Sequence, residues 1–150
     1  MKERMKLEQV EPEAYQAMLG LEKYLHRSGL NRTLLELIKI RASQINRCAF
    51  CIDMHTKDAR KNGETQRIYA LNAWKETPFF TDEERAVLAM TEAVTLVAGN
   101  SISDNLYEEV SRYFTANSFA RILIAIVTIN AWNRIAIATR MVPGTYPVAE

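Results

Sequence analysis

The chain holds two cysteines and two histidines in 150 residues. Three of those four side chains, Cys48, Cys51 and His55, crowd into one short stretch, CAFCIDMH. On a helix, spacings of three and four residues bring neighbours onto one face, so Cys48 stacks on Cys51 and Cys51 on His55. Two thiols and an imidazole arranged in this way support three chemistries: a dithiol that cycles to a disulfide, a metal site, or a nucleophile with an adjacent base. Thiol chemistry runs through the thiolate, and the positive end of a helix dipole favours that anion in the first turn. His55, one turn along from Cys51, can take or give a proton at neutral pH. Glu36 can orient His55 or relay its proton, provided its helix packs against the cysteine helix. The second cysteine makes the oxidation reversible, because a sulfenic acid on one sulfur condenses with the neighbouring thiol.

The surrounding elements read as helices. No segment alternates apolar and polar residues as a half-buried strand does. Residues 1–11 form an irregular lead-in, and Pro12 suits the first turn of a helix whose inward face is Ala14, Met18, Leu21 and Leu25, ended by Ser28-Gly29. Asn31 caps the next helix, where Leu34, Leu37, Ile38 and Ile45 make the buried stripe and Glu36, Ser43 and Arg47 lie off it. The chain bends near Asn46-Arg47, and the cysteine helix runs from Cys48 to the stop at Asn62-Gly63. A short helix turns Ile68, Leu71 and Trp74 to one side until Thr77-Pro78. Thr81 and Glu84 make a capping box for a helix that carries Val87, Met90, Val94 and Val97 inward to about Gly99-Asn100. Ser103 caps a helix with Leu106, Val110, Tyr113 and Phe114 inward. Asn117 or Ser118 opens the last helix, to about Arg140. Its run ILIAIVTINAWNRIAIA is apolar on most sides, which predicts a central helix or a subunit contact. The tail MVPGTYPVAE reads as irregular. The expectation is an all-α protein of about seven helices, one domain over 1–150 with its core motif at 36–55.

Composition narrows the partners. Lys and Arg number 19 against 18 Asp and Glu, so no basic excess marks a nucleic-acid binder. No uninterrupted apolar run is long enough to span a bilayer, and the N-terminal basic residues precede no apolar core of a secretory signal. The cytoplasm is the expected compartment, where a close cysteine pair is redox-active or metal-binding more often than a structural staple.

Blander readings apply to the same residues. A CxxC pair can be two small core residues. Cys48, Cys51, His55 and Glu36 are all acceptable zinc ligands, but a structural zinc site draws its ligands from two separated pairs, and the chain has no second CxxC. No metal and no cofactor are therefore expected. Glu36 alone can be a solvated residue paired with Arg32 or Lys39. His26 sits in the last turn of its helix, where a dipole contact suffices. Trp74 and Trp132 read as core or interface.

Glu36, eleven residues, Cys48-x-x-Cys51 and then His55, within LLELIKIRASQINRCAFCIDMHTKDARKNG, resembles the core motif of the alkylhydroperoxidase AhpD-like proteins of the carboxymuconolactone decarboxylase superfamily. The similarity continues through GETQRIYALNAWKETPFFTDEERAVLAMTEAVTL and, more weakly, to the last helix. The resemblance implies an all-helical fold and a peroxiredoxin-like peroxidase that cycles its cysteine pair, reducing hydroperoxides at the expense of a dithiol reductant. It assigns Cys51 as the attacking thiol, Cys48 as the resolving one, and His55 and Glu36 as the proton relay. It also implies a homo-oligomer, a hexamer built as a trimer of dimers ahead of a trimer. At one position the chain departs from AhpD, which has a histidine just before the second cysteine where Phe50 stands here. The decarboxylase branch lacks the cysteine pair. The dipole argument by itself favours Cys48 as the more acidic thiol, whereas the resemblance places attack on Cys51. Two other roles use the same residues: a thiol-disulfide oxidoreductase acting on a protein or small dithiol, and a non-catalytic oligomer that senses oxidants or binds a ligand.

Overall fold

A computed structural model describes residues 2–99 and 101–147. Among these residues eight α-helices run in order: α1 Leu7–Val10, α2 Pro12–Arg27, α3 Arg32–Asn46, α4 Ala49–Lys61, α5 Thr65–Ala70, α6 Asp82–Thr95, α7 Asp104–Tyr113 and α8 Ala116–Thr139. A 3-10 segment, Leu71–Glu76, follows α5 directly. Strands are absent among the described residues. The all-helical expectation holds, with one more short helix, α1, inside what reads as an irregular lead-in.

Local signals set most helix ends. Asn31 Oδ1 accepts the Leu34 N–H at 3.1 Å, and Ser103 Oγ accepts the Leu106 N–H at 3.2 Å. The Thr81–Glu84 box closes in both directions, satisfying two otherwise orphaned donors. Helix α8 is capped two or three residues earlier than the sequence suggests, by Thr115, whose hydroxyl accepts the Ser118 N–H. Helix α6 stops at Thr95, so Val97 is exposed rather than inward. Tyr113 is likewise exposed, and Val110 is the buried residue of α7.

Two larger corrections concern packing. Helix α3 is enclosed on all sides, against α4, α6 and α8. Its buried residues include Glu36, Lys39 and Ser43 beside the apolar set Leu34, Leu35, Leu37, Ile38, Ile40 and Ala42, while Ile45 is only half-buried. A helix this enclosed has no solvent face for a stripe to report. Helix α2 presents a face rotated from the expected one. Ala14 and Leu21 are exposed, while Tyr15, Leu19 and Glu22 are partly buried around the fully covered Leu25. Tyr15 meets Trp132 of α8 edge-on at 5.6 Å between ring centres, and Glu22 pairs with Lys39 of α3 at 2.7 Å. These contacts turn α2 toward a polar crevice.

Polar side chains tie α3 to α8. Asn133 donates to Ser43 Oγ at 2.9 Å, and Asn46 donates to both Asn130 and Asn133. Helix α8 is long and apolar enough by length and composition to cross a membrane, and 44% of its most apolar window is buried within the fold. Of the tail, residues 141–147 are described and are irregular, as expected; Val148, Ala149 and Glu150 lie outside the described residues, as does Asn100.

Candidate active site

The site begins at the junction of α3 and α4. Arg47 closes α3 in the left-handed region (φ 58°, ψ 38°), donating its N–H back to Gln44 and Ser43. Cys48 follows in an extended conformation, its N–H on the Ser43 carbonyl at 3.0 Å. This kink makes Cys48 the N-cap of α4 rather than its first helical residue, with Sγ accepting the Cys51 N–H at 3.4 Å. Both sulfurs therefore lie at the positive end of α4, in a field that favours thiolate. They are joined as a disulfide across a Cα–Cα distance of 5.4 Å. Both cysteines are almost fully covered, Cys48 at 1% and Cys51 at 2% exposure.

One turn beyond Cys51, His55 is 4% exposed, and its Nδ1 lies 3.0 Å from Glu36 Oε2 on α3. Glu36 is itself 6% exposed. Burial pushes its carboxyl up, but the His55 hydrogen bond and the charges of His55, Lys39 and His26 outweigh burial and hold it below the ordinary carboxylate range. An ionised Glu36 can only accept, so Nδ1 carries the proton of this hydrogen bond, and Nε2 is the ring nitrogen left to exchange a proton with Cys51. Glu36 thus lies against His55, as the sequence reading allowed, and the blander reading of a solvated helix residue does not hold.

A cavity of about 360 Å³ opens on this pair. Cys51, His55 and Glu36 line it together with residues the sequence reading did not select: Asp58, Tyr146, Lys39, Glu22 and Trp132. His26, read as a simple end-of-helix residue, lines it too. Asp58 is three residues beyond His55, a spacing that signals a shared helix face once His55 is chosen. Tyr146 gives no such signal, because only the folded tail brings it in. Gly144 N–H bonds Asp53 at 2.9 Å and Lys57 bonds the Tyr146 carbonyl at 3.1 Å. The Tyr146 hydroxyl then donates to Asp58 at 3.2 Å. Burial, followed by the Asp58 charge and hydrogen bond, raises the phenol, which keeps it a proton donor.

Glu36, His55 and Asp58 each place one ligand atom within 4.8 Å of the others, so this trio could hold a cation. The group differs from the Cys-Cys-His-Glu set suggested by the sequence, because sulfurs committed to a disulfide offer no thiolate to a metal.

A model of the carboxymuconolactone decarboxylase family matches residues 12–93, which include Glu36, both cysteines and His55. The chain belongs to this family. It is 48% identical over 139 residues to an uncharacterized protein, YdfG, of Bacillus subtilis (strain 168), covering 92% of this chain and 95% of the relative. Among solved structures, a protein of unknown function from Agrobacterium tumefaciens, described as an AhpD antioxidant-defence protein, superposes with a TM-score of 0.93 at 40% identity, over 97% of this chain and all of that one. The debrominase Bmp8, solved with 2,3,4-tribromopyrrole, shares the fold with a TM-score of 0.81 at 19% identity, over 90% of this chain and 73% of its own. The AhpD-like fold expected from the motif is the fold observed. Solved proteins with this fold include one described in antioxidant defence and a debrominase.

Proposed function

We propose that the protein is a thiol-dependent peroxidase of AhpD type. The observation that carries this reading is the cysteine pair at the N-terminus of α4, whose inner member Cys51 lines the same cavity as the buried His55–Glu36 pair. The Cys51 thiolate attacks the outer oxygen of a hydroperoxide, the O–O bond breaks, and the alcohol leaves with a proton supplied through His55. The products are a Cys51 sulfenic acid and ROH. Cys48 then attacks that sulfur, water departs, and the disulfide forms. Two electrons have passed from the dithiol to the peroxide, and a thiol reductant restores them. Glu36 holds the His55 ring in the tautomer that can accept the Cys51 proton.

The helix end favours a thiolate on either sulfur, an effect of about 1–2 kcal/mol at a covered position. Cys51 differs in having a base one turn away and the larger cavity before it, which supports it as the attacking thiol and Cys48 as the resolving one. The working unit is the whole chain in a reducing cytoplasm, assembled as a homohexamer built as a trimer of dimers, with a trimer as the next choice. Exposed Val127 on α8 supports assembly, since apolar helix faces left open usually mark contacts.

Mass spectrometry of reduced protein after one equivalent of hydroperoxide tests the reading. A loss of two mass units per chain, with thiol titration falling by two, is expected. Thiols that stay titratable in excess peroxide would return the pair to a structural or ligand-binding role.

A further inference from the structure

The disulfide lies between two cavities of opposite character. Cys51 lines the larger one, which also holds three carboxylates, Glu22, Glu36 and Asp58, beside Lys39 and the two histidines His26 and His55. Cys48 lines a second cavity, of about 190 Å³, in which no acid takes part. Its charged residues are two arginines, Arg47 and Arg140. Phe50, Ala136 and Met141 line both cavities and form the partition.

Those arginines share a further property. Among the described residues they are the two non-glycine positions with left-handed backbone, each at φ 58°. Each closes a helix, Arg47 ending α3 and Arg140 ending α8, in the conformation for which glycine is the ordinary choice. The chain uses glycine for the left-handed turns at Gly29, Gly63 and Gly144. At the two positions that flank Cys48 it keeps a long cationic side chain instead. Neither guanidinium makes an ion pair or hydrogen bond among the described residues, and both residues are exposed. Two arginines lining one cavity, with guanidinium groups that no other described residue engages, suit carboxylates, which they can bind in bidentate fashion.

We infer that the second cavity is the reductant site, and that it takes a low-molecular-weight thiol carrying carboxylates, which attacks Cys48. The inference rests on the peroxidase reading for its place in the cycle, and it names a carboxylate-bearing monothiol where the resemblance implies a dithiol reductant. The entering thiolate bonds to the Cys48 sulfur, the Cys48–Cys51 bond breaks, and Cys51 leaves as a thiolate one turn from His55. A second thiol molecule attacks the reductant sulfur of the mixed disulfide and frees Cys48, which takes a proton from water. The protein disulfide gains two electrons, and two reductant thiols become one disulfide. An anionic thiol is repelled from the acidic cavity and drawn to the basic one. Peroxide and reductant thus approach opposite ends of one S–S bond, and the departing Cys51 is already in position for the next peroxide.

The test measures the reduction of disulfide formed with diamide, so it does not depend on the peroxide step. Rate constants are compared for mercaptosuccinate, β-mercaptoethanol and cysteamine in the wild type, Arg47→Gln, Arg140→Gln and the double variant. Because each variant is compared with itself, the ratio of mercaptosuccinate to β-mercaptoethanol rates cancels changes in fold or intrinsic sulfur reactivity. That ratio should fall about tenfold in the double variant, and salt should erode it in the wild type. Rapid alkylation during reduction should find the thiol adduct on Cys48 and the alkyl group on Cys51. A ratio unchanged in the double variant, or an adduct on Cys51, overturns the inference. Failure of peroxide to oxidise the dithiol would instead remove the peroxidase reading and leave this measurement intact.

Discussion

Replacing Glu36 by glutamine removes one charge at nearly constant shape. In the structure Glu36 is 6% exposed and accepts from His55 Nδ1 at 3.0 Å. A buried hydrogen bond to an ionised acceptor is worth about 1.5–3 kcal/mol against about 1 for a neutral one, so the imidazolium loses roughly 0.5–2 kcal/mol of stabilisation. That alone slows a step that charges the ring by about two- to thirtyfold. A carboxamide can also turn its NH2 toward Nδ1, which favours the wrong tautomer and brings the expected loss to about a hundredfold. Folding should survive, since glutamine relieves the cost of burying a charge while keeping an acceptor in place. Stopped-flow consumption of hydroperoxide by pre-reduced protein reads the rate, and circular dichroism with thermal melting reads the fold. His55→Ala should show a loss of similar size. A folded Glu36→Gln protein within about twofold of the wild-type rate would refute the relay and leave Glu36 a structural ion-pair partner.

The two thiols should separate by variant: Cys48→Ser consumes one equivalent of peroxide and traps a sulfenic acid at position 51, whereas Cys51→Ser consumes none, and the reverse pattern would hand attack to Cys48. Stability should show an acid limb from Glu36. Its folded-state carboxyl lies below the ordinary value of 4.5, so its contribution is present above that value and is lost as pH falls through the lower folded-state one; melting temperatures of wild type and Glu36→Gln should therefore converge in that acid window, and curves that stay parallel through it would argue against the linkage. Light scattering behind a sizing column should give about six times the chain mass of 17.2 kDa. A monomeric mass at micromolar concentration would sink the assembly and leave the exposed apolar residues of α8 without a partner.

What the sequence determines by itself is local. Side-chain caps act within three or four residues, so Asn31, Ser103 and the Thr81–Glu84 box place helix starts without reference to the rest of the chain. The same short range fixes Cys48, Cys51 and His55 along one helix face, and the bend at Arg47 that makes Cys48 a cap falls where the pattern breaks. The partners of those residues depend on packing. The Glu36–His55 contact joins positions 19 apart and exists because α3 lies against α4. Periodicity cannot show that α3 is the enclosed helix, since a buried Glu36 or Lys39 looks in sequence like any solvated charge until its partner, His55 or Glu22, is seen across the interface. The inward face of α2 turned for the same reason, drawn by Tyr15 onto Trp132 and by Glu22 onto Lys39. Asp58 and Tyr146 meet only because Asp53 and Lys57 hold the tail across α4. The division of the disulfide between an acidic and a basic cavity is likewise a tertiary fact, because α8 supplies Arg140, Ala136 and Trp132 from the far end of the chain.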